Sequence, residues 1–459
     1  MEFRITQLKM EAFRGIGDLT LEFNQSGANV LIGVNGIGKS SILDCLALML
    51  TWFVNRIRYD PDTRYVSSGN LFQQKPHPTQ GDIFEYQDVQ NESTEVRCAM
   101  CAVVDAEDIQ WYLSGIKQGN DLRHESSVEL RSVKPHRIKL AHLRSNEKDN
   151  DKSTLESMTD DLRQKILDEQ QLIDIPIIVY YPVNRAVLDI PLDLLDNQAA
   201  QISIYEAPLT RSINFKDFFQ WFRTTEDLEN EERRDNFDHR DRKLEAVRNA
   251  IAQFLPGFNN LRVRRSPLRM TVAKAEQELI IDQLSDGEKC LLAMVGDIAR
   301  RLAIANPSLE NPLHGSGVVL IDEIELHLHP SWQRRIISSL TDTFPNCQFI
   351  VTTHSPQVVS HVKPERVYVL EKDDNVIIAY HPESSFGRDS NRILVDLMGV
   401  DERPEQIKKN LLTLFRLIDA GDLDQARELR QQLAQEIGGG EPEFAKADML
   451  IRRKEIIGQ

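Results

Sequence analysis

The stretch "ANVLIGVNGIGKSSILDCLALMLTWFVNRI", residues 28–57, passes from a continuous apolar run through a glycine-rich loop into a long, largely apolar helix. Inside it, "GVNGIGKS" (33–40) fits G-x-x-x-x-G-K-[ST] at every fixed position, and a strand before with a helix after is the context that this spacing needs. The residue types dictate the chemistry. Glycines let the backbone amides of Asn35, Gly36 and Gly38 wrap phosphate oxygens, and the helix N-terminus, with Ser41 in its first turn, adds positive potential. Lys39 neutralises the β and γ oxygens of a nucleotide and Ser40 reaches Mg²⁺.

A phosphate loop of this kind needs an acidic strand end to complete it. "VVLIDEIELHLHPSWQ" (318–333) supplies one, because Asp322 and Glu323 close an apolar run. An aspartate there is placed to hold Mg²⁺, and a neighbouring glutamate to polarise the attacking water. His327 and His329 raise the alternative of a transition-metal cluster. Their H-x-H spacing is not the i, i+4 pair of a helical zinc site, and Pro330 follows directly. The pair is therefore read as structural or as part of an interface.

The bulk composition narrows the field. At 459 residues the chain exceeds the size at which one core stops growing, so two or three lobes are expected. With 55 Lys plus Arg against 71 Asp plus Glu, the net charge of −16 repels a phosphate backbone, and any nucleic-acid contact must be local. "RSVKPHRIKLAHLR" (131–144) and "LRVRRSPLR" (261–269) are the basic clusters that could provide it; ion pairs with the surplus carboxylates are the alternative. Five cysteines in apolar segments, with no apolar run of about 18 residues and no signal peptide, point to a reduced, cytoplasmic protein without a membrane span. Cys98 and Cys101 lie three apart in a predicted strand, on opposite faces, a poor arrangement for sharing a zinc ion.

Along the chain, residues 3–8 and 19–23 alternate as a hairpin around "RGIGD", and "EVRCAMCAVVDA" reads as a further strand. The middle, about 106–255, is charged and helix-prone, broken by one strand in "IPIIVYYPVNR" (175–185) that returns the chain to a sheet. Strands resume from about 261 and alternate with helices. Beyond 401, apolar residues at spacings of three and four predict a helical hairpin, "GGG" (438–440) ends it, and a last helix follows Pro442.

"LSDGEK" (284–289) opens a helix with Ser285 as N-cap and Glu288 completing a capping box. Taken with the phosphate loop and the acidic strand end, the chain resembles the ABC-type ATPase superfamily, whose L-S-G-G-Q signature corresponds here to Leu284 to Glu288. Asp286 and Glu288 depart from that signature as in the SMC and Rad50-like branch. "VTTHSP" resembles the switch-histidine segment, which makes His354 the residue expected at the γ-phosphate. The resemblance implies a head formed by a mixed α/β sheet around the phosphate loop, with a helical insertion and a C-terminal helical tail, divided as 1–105, 106–255, 256–400 and 401–459. It implies ATP and Mg²⁺, with Glu323 and His354 catalytic and Ser40 and Asp322 on the metal. Ser285 and Gly287 act in trans on nucleotide held by a second copy, in a homodimer or larger homo-oligomer, and "IELHLHP" occupies the dimer interface. The glutamine that touches Mg²⁺ in such heads stays open among Gln73, Gln74 and Gln80. Phe13-Arg14 resembles the F-R pair of the branch and frames the nucleotide or simply ends a hairpin strand.

No acidic pattern suited to a two-metal nuclease follows His354, so the chain is not expected to cut DNA itself. "FFQWFRTTEDLENEERR" (218–234), "SSFGRDSNRILVDLMGV" (384–400) and "LIDAGDLDQARELRQQL" (417–433) resemble the PtuA family, the ATPases of bacterial Septu antiphage systems, also found beside some retrons. That resemblance implies an HNH nuclease partner supplied in trans and docked on the C-terminal helices, with DNA contact through the partner. The alternative is a Rad50- or RecF-like repair ATPase that clamps DNA itself.

Overall fold

The computed structural model describes residues 1–58, 84–91, 93–118, 121–130, 154–167, 172–183, 204, 215–374 and 376–457. It divides into two compact units, Met1–Arg388 and Asp389–Gln459. The division falls upstream of residue 401, where the tail was expected to begin.

The first unit begins with the predicted hairpin, β1 (Phe3–Phe13) and β2 (Ile16–Glu22), followed by β3 (Gly27–Gly33) and α1 (Lys39–Arg58). Then come β4 (Glu95–Val104), β5 (Glu107–Gln118), β6 (Asp121–Leu130), α2 (Thr154–Leu167) and β7 (Ile177–Tyr181). Helices α3 (Phe215–Asp235) and α4 (Arg242–Phe254) lead to the meander β8 (Phe258–Arg265), β9 (Leu268–Lys274) and β10 (Gln277–Ile280). The unit closes with α5 (Asp286–Ala305), β11 (Gly317–Ile321), α6 (Pro330–Gln333), α7 (Ile336–Thr343), β12 (Cys347–Thr352), α8 (Pro356–Val359), β13 (Val367–Asp373) and β14 (Val376–Tyr380).

The central sheet has the order β14-β13-β3-β12-β11-β7, parallel except for the edge strand β14. Its inner strands are rich in Val, Ile and Leu and have almost every side chain buried, as strands covered on both faces must be. An antiparallel sheet, β2-β1-β4-β5-β6, lies beside it, and β4 alternates strictly, with Val96, Cys98, Met100, Ala102 and Val104 inward. Cys101 faces the other way and is half-buried. Gln348 joins the two sheets: its side-chain oxygen accepts from the Ile5 amide at 2.8 Å and its nitrogen donates to the Ile5 and Asn24 carbonyls, both at 2.8 Å. This side chain occupies the place where β1 skips a register step between Ile5 and Gln7. Trp111 of β5 donates to the Met49 carbonyl at 3.1 Å and fastens the same sheet to α1.

The segment expected to be mostly helical starts with two strands. Ile109, Trp111 and Leu113 alternate inward along β5, so β5 and β6 extend the antiparallel sheet, and the first helix of this segment among the described residues is α2. The strand predicted in 175–185 does return to the sheet, as its edge strand β7.

The second unit contains α9 (Ser390–Met398), α10 (Glu405–Ala420), α11 (Leu423–Ile437) and α12 (Pro442–Ile457). The last three share a core of Ile407, Leu411, Leu414 and Ile418 with Ala426, Leu433, Phe444, Ala447 and Ile451. Arg403 pins the start of α12 through Glu441 at 3.0 Å and Glu443 at 2.9 Å. Among the described residues no helix is long and apolar enough to cross a membrane.

Candidate nucleotide site

Parallel pairing brings three strand ends together. β3 delivers the glycine loop, β12 next to it delivers His354, and β11 beyond that delivers Asp322 and Glu323. Gly33 turns the chain off β3 with φ +151, and a Cβ there would meet the Leu370 carbonyl oxygen at 2.6 Å, so the position accepts glycine alone. Asn35 and Gly36 form the exposed tip, Gly38 enters the helix, and Lys39, Ser40 and Ser41 make its first turn. The N-terminus of a 20-residue helix thus opens onto the loop, a ready anion cradle.

Lys39 is buried, and its ammonium donates to the carbonyls of Gly33 at 2.8 Å and Val34 at 3.0 Å. Burial pulls its pKa below the usual lysine range, against the opposing pull of Asp322, Glu323 and Glu325. The only cation of the loop therefore sits within the field of the acidic strand end.

Sequence reasoning missed the residue that organises that end. The hydroxyl of Thr352 donates to the Asp322 carboxylate at 2.5 Å and accepts the Glu323 amide at 2.8 Å, while the Ile324 amide donates to the Thr352 carbonyl at 3.0 Å. Glu323 holds φ +47 and His327 φ +62, left-handed conformations that cost a non-glycine residue energy and cluster at functional loops. His329 serves the fold: its Nδ1 accepts from the Ser331 amide at 3.3 Å and caps α6.

Phe13-Arg14 is committed to the frame of α1. Arg14 donates to Asp44 at 2.5 Å and Asp88 at 2.9 Å, and the Tyr180 hydroxyl donates to the other oxygen of Asp44 at 3.0 Å. Burial, reinforced by Asp44, raises the Tyr180 phenol far above its ordinary pKa, so it remains a donor.

The predicted capping box is present. Ser285 accepts from the Glu288 amide at 3.4 Å and, through its own hydroxyl, donates to the Glu288 carboxylate at 2.9 Å, which Lys274 of β9 also holds at 2.6 Å. Burial would lift the Glu288 pKa, and the Lys274 and Ser285 contacts outweigh it and hold it low. Gly287 packs on the backbone of His327, in the loop that follows Glu323.

Hard oxygen donors suit Mg²⁺, and the exposed Ser40 hydroxyl and the buried Asp322 carboxylate are donors of that chemistry. Gln73, Gln74 and Gln80, and the basic cluster 131–144, lie outside the described residues. In the other basic cluster three of the four arginines are paired: Arg264 and Arg262 with Glu278, Arg265 with Glu226 and Asp227. The Arg264 and Thr271 hydrogen bonds hold the Glu278 carboxyl down to about 2.

Residues 107–360 match the family described as "AAA domain, putative AbiEii toxin, Type IV TA system", a span that includes the signature, Asp322, Glu323 and His354. Residues 3–97, which include the phosphate loop, match the family described as "Protein of unknown function (DUF2813)". Over 90% of its length the chain is 29% identical to the "Retron Vc95 probable ATPase" of Vibrio cholerae serotype O1 biovar El Tor, covering 82% of that protein. Over 44% of its length it is 27% identical to the "Septu protein PtuA" of Bacillus thuringiensis, of which it spans 53%. The likeness to PtuA is thus partial here, and the retron ATPase is matched further. A solved Smc head bound to the C-winged helix domain of ScpA aligns with 83% of this chain and 98% of its own, at 15% identity and a TM-score of 0.46.

Proposed function

The chain belongs to the family of ATPases described as "AAA domain, putative AbiEii toxin, Type IV TA system", and from that premise we propose that it is the ATP-hydrolysing subunit of a retron- or Septu-type antiphage defence complex. In this reading it is cytoplasmic, works as a dimer or larger homo-oligomer, and controls an HNH nuclease bound in trans. The observation that supports it best is the convergence of three parallel strand ends on one anion cradle.

The loop amides and Lys39 bind the nucleotide phosphates. Ser40 and Asp322 would hold Mg²⁺, which when bound supplies charge neutralisation at the β and γ oxygens. Glu323 orients and polarises the attacking water, its backbone locked by Thr352. His354 stands at the γ-phosphate. Ser285 and Gly287 of a second copy close the site, and to reach phosphate the Ser285 hydroxyl must turn from Glu288. Three of the four arginines of 261–269, Arg262, Arg264 and Arg265, are tied up in ion pairs, which weighs against a clamp that grips DNA through them.

Co-purification with an HNH nuclease encoded beside this chain, followed by DNA cleavage with and without ATP, tests the proposal. A stable complex whose cutting responds to nucleotide supports it. ATP-dependent DNA binding by this chain alone, without a nuclease partner, replaces it with the repair clamp. Within the site, Lys39→Ala should weaken nucleotide binding, whereas Glu323→Gln should retain binding and slow hydrolysis; normal turnover in both overturns the assignment.

A further inference from the structure

Three residues past Asp322, Glu325 bridges to the neighbouring strand end. Its Oε2 accepts from the Thr353 hydroxyl at 2.7 Å and its Oε1 from the backbone amide of His354 at 2.5 Å. Hydrogen bonds to an ionised carboxylate are short and strong, and two from adjacent residues fix the direction in which the chain leaves β12. The same segment is held from behind. Ser355 donates its amide to Thr353 Oγ1 at 3.0 Å and its hydroxyl to Gln333 at 2.7 Å, and it caps α8. Both oxygens are thus tied to the segment that leaves β12, and the role of activating water stays assigned to Glu323.

We propose that Glu325 is a positioning residue for ATP hydrolysis, a carboxylate clamp that sets the backbone of His354 and so aims its imidazole at the γ-phosphate. The inference rests on the reading that His354 acts there. It explains why this loop carries a second glutamate two residues after the first: one carboxylate serves the water, the other the histidine.

The test is a double-mutant cycle in the full-length chain, with steady-state Mg-ATP hydrolysis and separate equilibrium binding of a fluorescent ATP analogue. Glu325→Ala should lower kcat by about tenfold or more, because small misplacements of catalytic groups are costly. KM and analogue affinity should stay within about threefold of wild type. Glu325→Gln, which keeps one acceptor for the His354 amide, should recover part of the loss, and it carries the same cycle if the alanine variant does not fold. Added to His354→Ala, either substitution should change kcat by less than about twofold, because Glu325 acts through the histidine. Losses that multiply overturn the inference while leaving His354 in place, and so does a loss confined to KM. Normal turnover in His354→Ala alone overturns the histidine's role and this inference with it.

Discussion

A Cβ built on Gly287 would lie 2.4 Å from the carbonyl oxygen of His327, so the signature loop and the loop that follows Glu323 touch through bare backbone. The contact is made within one chain. His327 is already in a left-handed conformation, so it has little room to retreat. Gly287→Ala should therefore displace the 323–328 loop rather than be absorbed locally. The expected result is a stability loss of about 1–3 kcal/mol, as for other overpacked sites. ATP hydrolysis should fall by tenfold or more, on the order of the cost of misplacing a catalytic group, with fluorescent-nucleotide binding retained. Phosphate release and thermal unfolding on the same preparation check both halves. Full activity would mean that the loop moves freely of the signature.

Thr352 yields a second expectation. Its hydroxyl serves Asp322 and Glu323 at once, so Thr352→Val removes a donor from one and an acceptor from the other while keeping the side-chain volume. The loss should be about 1–3 kcal/mol in stability, the cost of a buried polar group deprived of a partner. Turnover should fall more than affinity for the nucleotide. Thr352→Ser, which keeps the hydroxyl, should restore both; a serine variant as impaired as the valine one would assign the effect to packing.

The contrast between Lys39 and Thr352 shows how far the sequence reaches. Lys39, Ser40 and Asp322 announce themselves because their meaning is local: a glycine spacing, or an acid at the end of an apolar run. The roles of Thr352 and Glu325 exist only once β11 and β12 pair in parallel, which brings together positions some thirty residues apart. Likewise β5 has the right alternation in Ile109, Trp111 and Leu113, but its other face is polar and the surrounding charges imitate a helical insertion. The tail hairpin was legible throughout because a period of 3.6 is a local signal.

Asp297 on α5 predicts a pH dependence. Burial alone would raise its pKa, but the charges of Arg301 and Arg300 outweigh that and hold it well below the carboxylate range. Its oxygens accept from Arg300 at 2.7 Å, Arg301 at 2.8 Å and the Tyr181 hydroxyl at 2.9 Å. Because the folded-state pKa is depressed, the stabilisation is fully present above the unfolded aspartate value of about 3.9 and is lost as pH falls toward the folded value. Asp297→Asn should destabilise the neutral-pH protein by about 3–5 kcal/mol, since it leaves two buried guanidinium groups uncompensated. Its stability should also decline less steeply than wild type below that pH. Urea unfolding from pH 7 to strongly acidic conditions, in both proteins, reads the difference, and parallel curves would remove Asp297 from the account.

The C-terminal unit bears on the proposed nuclease partner. The apolar stripes of α10, α11 and α12 are consumed by one another around Phe444, so whatever the unit offers a partner depends on that shared core being intact. Phe444 is fully buried, and the Arg430 guanidinium lies 5.1 Å from its ring centre while pairing with Asp448 at 2.8 Å. Phe444→Ala should cost the unit about 3–5 kcal/mol, enough to unfold a three-helix core of this size. Nucleotide binding at Lys39 should persist, because the loop and its supporting strands belong to the first unit. Capture of the proposed nuclease partner should be lost. An exposed substitution on the same helix, Met449→Ala, separates surface from scaffold: the side chain is 63% exposed, so its truncation leaves the core alone. Weakened capture with Met449→Ala would put the partner on that face of α12. Undiminished capture with Phe444→Ala, in a protein whose tail is shown by limited proteolysis to be unfolded, would place the partner on the first unit.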